Sequence, residues 1–415
     1  FYRRLGHAKR YFNKKNKIIM KNKIIYLITI IFLQSCSILI PLRDLPEPSG
    51  NHIIGTDILI LEDKNRFENF TEEDDDFRKI IVQVWYPAIE KSDSLYPYLD
   101  YKNIKTPYIA KRLEVPEKII QHINSVKANA YYKAKPKNNE YPVIIFSHGL
   151  GGNRIQNTSN IETLASNGYI VFSIEHTYDA NITVFNDTTF AEFKSYLPDD
   201  VSVEKFYNVR IPQIKTRAND VSFMIDKITS LKSQNHYIGR ISNLNSIGVF
   251  GHSFGGGTAA VSSFMDDRID ACIALDGWFE PIPPYILDKG IDIPFLYIGQ
   301  IQKNWTTAPY NEMQLLTFHK NNSNDSFIIE VDKTKHMDYS DIPYLTKVSR
   351  LMGLSGKDAK KITLDLNYTI NHFFGAYLKG TDINWIETWA EDGKMDNCPT
   401  DPYENSKPEN VLEQI

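Results

Sequence analysis

Cysteine is scarce in this chain. Cys36, Cys272 and Cys398 are the three among 415 residues, too few for a disulfide framework. No paired-cysteine, H-E-x-x-H or H-x-x-E-H motif is present, so nothing points to a metal, and no cofactor is expected. The acidic run Glu72–Asp76 has the spacing of a solvated loop, not of a calcium-binding one. Internal repeats are absent. Basic clusters are absent from the body as well: residues 1–35 hold nine Lys/Arg and no Asp/Glu, leaving 38 basic against 51 acidic residues, a net of −13. A nucleic-acid binder shows the opposite balance. With 42% apolar and 24% charged residues the mixture is that of a globular protein, which excludes collagen-like, coiled-coil and wholly disordered chains.

What is present begins with a targeting pattern. The first Met is Met20, and residues 1–19 are polar and basic; they are expected to lie upstream of the true start. Lys21 and Lys23 precede Ile24–Leu33, ten apolar or uncharged residues. As a helix that run rises about 15 Å, half of a bilayer core, so residues 20–35 read as a signal peptide rather than a span. Leu33-Gln34-Ser35-Cys36 resembles the bacterial lipobox. The resemblance implies that Cys36 is lipidated and that the protein is exported and anchored to a membrane of the bacterial envelope. Residues 36–50, with Pro41, Pro46 and Pro48, then read as a tether. Cys272 lies in the apolar run Ala271–Leu275 and is expected to be a buried thiol.

From about Asn51 strand-like and helix-like stretches alternate. Strands are expected at Ile53–Leu61, Lys79–Trp85, Pro142–Ser147, Tyr169–Ile174, Ser246–Phe250, Ala271–Leu275, Pro294–Gly299 and Ser326–Val331. Helices are expected at Asn157–Asn167, Val203–Lys232 with a break at Pro212, Phe254–Phe264, Glu312–Lys320 and Lys357–Leu378. Residues Lys91–Lys137 have no strong period, although Pro116–Val126 could form an amphipathic helix. The alternation predicts one α/β domain over residues 51–395, with a mostly parallel sheet covered on both faces. Residues 396–415 read as a polar tail.

The sharpest local feature is Gly251-His252-Ser253-Phe254-Gly255. It follows the strand-like Ile247–Phe250 and precedes the small residues Gly256–Ala260. A serine held on a sharp strand-to-helix turn is the nucleophile elbow of an α/β-hydrolase. Serine needs a base, and in that fold the base follows the final strand. Of ten histidines, His336 stands five residues after Val331. His7 falls in the leading segment, and His52 and His122 precede the sheet core. His148 and His176 follow earlier strands, and His236, His319 and His372 sit in a loop or helices. His252, within the elbow, points the wrong way for a base. The acid that orients the imidazole should end a strand between Ser253 and His336. Pro294–Gly299 leads to no carboxylate before Glu312, whereas Ala271–Leu275 is followed directly by Asp276; Glu280 is the weaker alternative. An oxyanion hole needs two backbone N–H groups. Phe254 supplies one, and the glycine-rich loop His148-Gly149-Leu150-Gly151-Gly152 supplies the other at Leu150.

The blocks Val143–Gly151, Gly251–Gly256 and Ala274–Trp278, in this order, resemble the plasma-type platelet-activating factor acetylhydrolases, the lipoprotein-associated phospholipase A2 family. The likeness takes in Gly55-Thr56-Asp57, Val84–Pro87, Glu175-His176, the His336 loop and the closing helix, about residues 51–395. Its nucleophile, acid and base carry over to Ser253, Asp276 and His336, and its oxyanion amides to Leu150 and Phe254. It implies calcium-independent hydrolysis of the sn-2 ester of phospholipids with short or oxidised acyl chains. The segment matching the family's apolar membrane helix, Pro116–Lys127, is polar here. The alternatives are a carboxylesterase acting on small or polymeric esters, a peptidase or amidase, and a non-catalytic binding module. Oligomeric state is not legible.

Overall fold

The computed structural model describes residues 43–386, apart from 72, 74, 199–200, 302–304, 306–308, 348 and 382–383. The expected signal peptide, Cys36, Cys398 and the polar tail lie outside the described residues. The part of the expected tether that is described runs along the domain. Arg43 N–H donates to Leu345 O and Leu45 N–H to Lys127 O, and Leu45 is buried with Tyr98, Leu99 and Ile155.

The sheet is built from β1 (Ile53–Phe67), β2 (Phe77–Ala88), β3 (Leu95–Pro97), β4 (Lys127–Tyr132), β5 (Tyr141–Ser147), β6 (Ile170–Glu175), β9 (Ser242–His252), β10 (Ala271–Leu275), β11 (Phe295–Gln300) and β12 (Ser326–Val331). β7 (Ile182–Val184) and β8 (Phe190–Glu192) form a separate hairpin. The order across the sheet is β12-β11-β10-β9-β5-β6-β2-β1-β4-β3. Pairs from β12 to β6 are parallel, and β6-β2 and β2-β1 are antiparallel. The acidic run does separate two antiparallel strands, and Glu68 N–H donates to Asp76 O as the hairpin closes.

The central strands are buried on both sides over the stretches that cross the core, and those stretches, Val143–Phe146 and Ala271–Leu275 among them, are apolar. Alternate residues then serve opposite cores. Val143, Ile145, Cys272, Ala274, Phe295 and Tyr297 face the layer with helices Val203–Ser233 and Phe254–Met265. Ile144, Phe146, Ile273, Leu275, Leu296 and Ile298 face the layer with helices Thr158–Ser166 and Ala359–Lys379. Each large aliphatic or aromatic side chain so buried contributes about 1.5–3 kcal/mol. Cys272 is a free thiol in this core, and burial pushes its pKa up to about 12.

Two local expectations need correction. Pro212 does not break its helix, which runs through Val203–Ser233. Both Pro212 and Asn208, whose carbonyl loses its partner, are exposed. Water can take the freed bond while the buried stripe of Ile214, Ala218, Val221, Ile225 and Ile228 holds the helix to the sheet. Pro116–Val126 is not one amphipathic helix but a single turn, Glu117–Ile120, followed by a 3-10 turn, Gln121–Ser125. The aperiodic stretch around it also holds the helix Lys102–Arg112 and strands β3 and β4.

Candidate active site

Ser253 stands between β9 and the helix Phe254–Met265. Its backbone has φ 57° and ψ −121°, a conformation that costs a non-glycine residue about 1–3 kcal/mol. The surroundings hold it there. Ser253 N–H donates to Leu275 O at 2.9 Å, and Ser253 O accepts from the N–H groups of Gly256, Gly257 and Trp278 at 2.9, 3.2 and 2.8 Å. The two flanking glycines are required by close approach. A Cβ on Gly255 would lie 2.0 Å from Ser147 O, and one on Gly251 2.2 Å from Gly255 O.

Asp276 follows β10 directly and is fully buried. Its Oδ1 accepts from Tyr297 OH at 3.0 Å and from Gln300 N–H at 2.9 Å. Its Oδ2 accepts from Gln300 Nε2 at 3.0 Å and meets His336 Nδ1 at 2.6 Å. A buried carboxylate is costly unless its lone pairs are filled, and here four donors fill them. Glu280 is turned elsewhere and accepts from Trp278 Nε1 at 3.3 Å.

His336 opens a short 3-10 turn, His336–Tyr339, after β12. The turn is fixed by Thr334 Oγ1 donating to Val331 O and by Lys335 N–H donating to Asp338 Oδ2. The imidazole lies between two rings: His252 at 4.6 Å and 33°, and Trp305 at 5.0 Å and 67°. With Nδ1–H committed to Asp276, the Nε2 lone pair is available to accept a proton. Ser253 Oγ has no hydrogen-bond partner among the described residues; such contacts are often loose without substrate and tighten when it binds.

The candidate oxyanion loop follows β5. Neither Leu150 N–H nor Phe254 N–H meets an acceptor among the described residues, and Phe254 N–H sits at the positive end of its helix. The rest of the loop is tied down. Gly151 N–H donates to Asp179 O at 2.8 Å and Gly152 N–H to Gly149 O at 2.9 Å. Arg217 Nη2 donates to His148 O, and the Arg217 guanidinium lies 5.0 Å over the Phe254 ring.

Two histidines near the site are structural. His148 Nδ1 donates to Gly149 O at 2.6 Å while its Nε2 accepts from His176 N–H at 3.1 Å. His176 bridges Asp220 Oδ2 and Ser147 Oγ, each at 2.9 Å. Burial and the Arg217 charge lower both pKa values, that of His176 to about 3. The His176–Asp220 contact is therefore a hydrogen bond donated by a neutral ring through Nδ1–H, not an ion pair.

A chain of bonds that sequence reasoning missed links the candidate oxyanion loop to the candidate base. Gly149 N–H donates to Gln156 Oε1 at 2.7 Å, and Gln156 Nε2 donates to His252 Nδ1 at 3.1 Å. His252 Nε2 then donates to His336 O at 3.0 Å. That order fixes the His252 tautomer, and burial together with the neighbouring His336 keeps its pKa well below the usual value. Gln300, Tyr297 and Trp305 also carry no acid or base signal in the sequence, since none is a carboxylate or a histidine. Trp278 lies at the site and Phe279 in the core.

A strained serine at a helix start, a histidine bonded to a buried aspartate and two free amides can carry out acyl transfer. Fold and site together define a serine ester hydrolase of the α/β-hydrolase type. The profile of the family described as platelet-activating factor acetylhydrolase, isoform II, matches residues 41–384, and the chain belongs to that family. Platelet-activating factor acetylhydrolase of Canis lupus familiaris is 25% identical over 352 residues, 78% of this chain and 74% of that protein. The protein of that name from Cavia porcellus is 27% identical over 286 residues, 63% of each chain. A probable 1-alkyl-2-acetylglycerophosphocholine esterase of Arthroderma benhamiae is 25% identical over 341 residues, 75% of this chain and 80% of that one. Among solved structures, a ferulic acid esterase from Streptomyces cinnamoneus superposes with a TM-score of 0.67 at 24% identity, covering 81% of this chain and 94% of its own.

Proposed function

We propose that the chain hydrolyses the sn-2 ester of phospholipids carrying short acyl chains, through an acyl-enzyme. Ser253 Oγ attacks the ester carbonyl as His336 Nε2 takes its proton. Asp276 holds the imidazole in the productive tautomer and stabilises the imidazolium. The amides of Leu150 and Phe254 receive the developing oxyanion. His336 then protonates the leaving alcohol, and water attacks the acyl-serine with His336 again as base. Every group these steps require is a residue of the chain, so activity is calcium-independent in this reading and survives EDTA. The observation that carries it is the family match across most of the chain, joined to the Asp276–His336 bond at 2.6 Å.

Export and lipid anchoring through Cys36 complete the proposal. A diacylated cysteine would hold the enzyme at a membrane surface, each buried CH₂ contributing roughly 0.8 kcal/mol. A small-ester carboxylesterase is the second reading, favoured by the exposed polar side chains of Glu117, Lys118, Gln121 and Ser125 where a lipid-docking helix would be apolar.

The test uses three substrates, an sn-2 acetyl phosphatidylcholine, its long-chain counterpart and p-nitrophenyl butyrate, with Ser253→Ala as the blank. Cleavage of the acetyl lipid but not the long-chain one is expected. Cleavage of the butyrate alone would move the function to small esters.

A further inference from the structure

The helix Lys102–Arg112 ends against the oxyanion loop. Arg112 Nη2 donates to Leu150 O at 3.3 Å, the carbonyl of the residue whose N–H is a candidate oxyanion donor. The contact is close: a Cβ built on Gly151 would fall 2.4 Å from Arg112 Cζ. The guanidinium also lies 5.0 Å over the Phe193 ring. The backbone that carries this ring is held on its C-terminal side, where Lys194 N–H donates to Tyr178 O at 2.9 Å and Arg210 Nη1 donates to Ser195 O at 3.0 Å.

Arg112 has no carboxylate partner among the described residues. On its own helix and the neighbouring segments, Glu192 Oε1 accepts from Tyr108 OH at 2.5 Å, and Asp179 accepts from Gln213 Nε2 at 2.7 Å and from Ser195 Oγ. Partial burial lowers the pKa of Arg112, and no neighbouring anion raises it. A guanidinium that is partly desolvated, stacked and still exposed at one edge is arranged to receive a planar or tetrahedral anion.

We propose that Arg112 forms an anion subsite beside the oxyanion hole, binding a phosphodiester or carboxylate carried by the ester substrate. The proposal rests on the ester-hydrolase reading and deepens it. An anionic group on the substrate is held next to the scissile carbonyl, which orients the ester and gives anionic esters preference over neutral ones. The anion can come from two sources: the phosphate on the alcohol side of a phospholipid, or a terminal carboxylate on the acyl side.

The experiment measures kcat/KM of the wild-type, Arg112→Ala and Arg112→Lys proteins on three esters. An sn-2 acetyl phosphatidylcholine places the anion on the alcohol side, mono-p-nitrophenyl glutarate places it on the acyl side, and p-nitrophenyl butyrate carries none. The readout is the ratio of each anionic ester to the butyrate. For Arg112→Ala that ratio should fall roughly 10- to 100-fold for one anionic ester, the charge-assisted bond being the part lost. Arg112→Lys should recover part of it. Which ratio falls identifies the source of the anion. A loss shared equally by all three esters makes Arg112 a brace for the Leu150 carbonyl and overturns the subsite. Unchanged ratios overturn it too, as does a wild-type enzyme that turns over the butyrate but neither anionic ester. Should the acetyl phospholipid alone resist the wild type, the phospholipid reading fails and the glutarate ratio still decides the subsite. A wild type inert toward all three overturns both.

Discussion

Replacing Asp276 by Asn tests the site with almost no change of shape. The amide oxygen can keep the bonds from Tyr297 OH and Gln300 N–H. The amide nitrogen then faces two donors, Gln300 Nε2 and His336 Nδ1, where Oδ2 had accepted both. His336 can relieve its half of the conflict by moving its proton to Nε2, which abolishes the lone pair needed to activate Ser253. The charge effect adds to this. A carboxylate and an imidazolium with centres about 4 Å apart attract by about 4 kcal/mol at an effective dielectric near 20, roughly 10³-fold in rate. Amide replacement of a triad aspartate has lowered kcat about 10⁴-fold elsewhere. We therefore expect kcat for p-nitrophenyl butyrate to fall roughly 10³- to 10⁴-fold, with KM much less changed and Ser253→Ala setting the floor. Circular dichroism and thermal melting verify that the variant is folded. A folded variant within tenfold of wild type would refute the reasoning. A matching loss in Glu280→Gln would transfer the role to that residue, despite its bond to Trp278.

The chain from Gly149 through Gln156 and His252 to His336 predicts that Gln156→Leu lowers kcat roughly ten- to hundredfold. Its loss leaves two groups of buried residues, Gly149 N–H and His252 Nδ1, without partners, at about 1–3 kcal/mol; an unchanged kcat in a folded variant would show the chain to be incidental. Ser253 should label with a fluorophosphonate in the wild type and not in Ser253→Ala, and an intact protein that never labels would exclude the hydrolase reading. Glu162 offers a pH test of stability. Burial raises its pKa from 4.5 to about 7 although Asn129 donates to it, so the folded state binds this proton more tightly than the unfolded one. The stabilisation is fully present below pH 4.5 and lost as pH rises through about 7. Relative to wild type, Glu162→Gln should thus gain about 3 kcal/mol between pH 4 and pH 8, read from denaturant melts. A constant difference across that range would mean that the carboxyl is not perturbed.

The fold was legible wherever both faces of a strand are covered. Val143–Phe146 and Ala271–Leu275 are unbroken apolar runs because neither face meets water, and turns bound them. The stretch Lys91–Lys137 was not legible for the opposite reason. β3 is three residues long, β4 alternates buried and half-exposed positions, and the helix Lys102–Arg112 buries Lys105 through an ion pair with Asp100 rather than an apolar stripe. A lysine in sequence reads as solvated; only the fold places Asp100 at 2.7 Å. The site divides in the same way. The candidates Ser253, Asp276 and His336 stood out in the sequence because each follows a strand of a known order, and the structure brings the last two within 2.6 Å. Gln300 was passed over, yet β11 pairs with β10 through Leu275 and Ile298. A polar residue just past that register lies beside Asp276, and this signal could have found it.

His252 illustrates a limit that is physical rather than statistical. Its position within the elbow excludes it as a base, and the residue then looks idle. The structure gives it a task that no local pattern encodes, because its two partners are contributed by the loop after β5 and the turn after β12. In the proposed mechanism these segments carry the oxyanion amide and the proton acceptor, which must keep a fixed separation while the ester carbonyl passes from planar to tetrahedral. Backbone alone cannot set that separation, since the two loops lie on different strands with β9 and its neighbours between them. A neutral ring that accepts at Nδ1 and donates at Nε2 can, provided it never gains a second proton. Burial and the neighbouring His336 depress its pKa, and protonation of His252 would break the bond from Gln156.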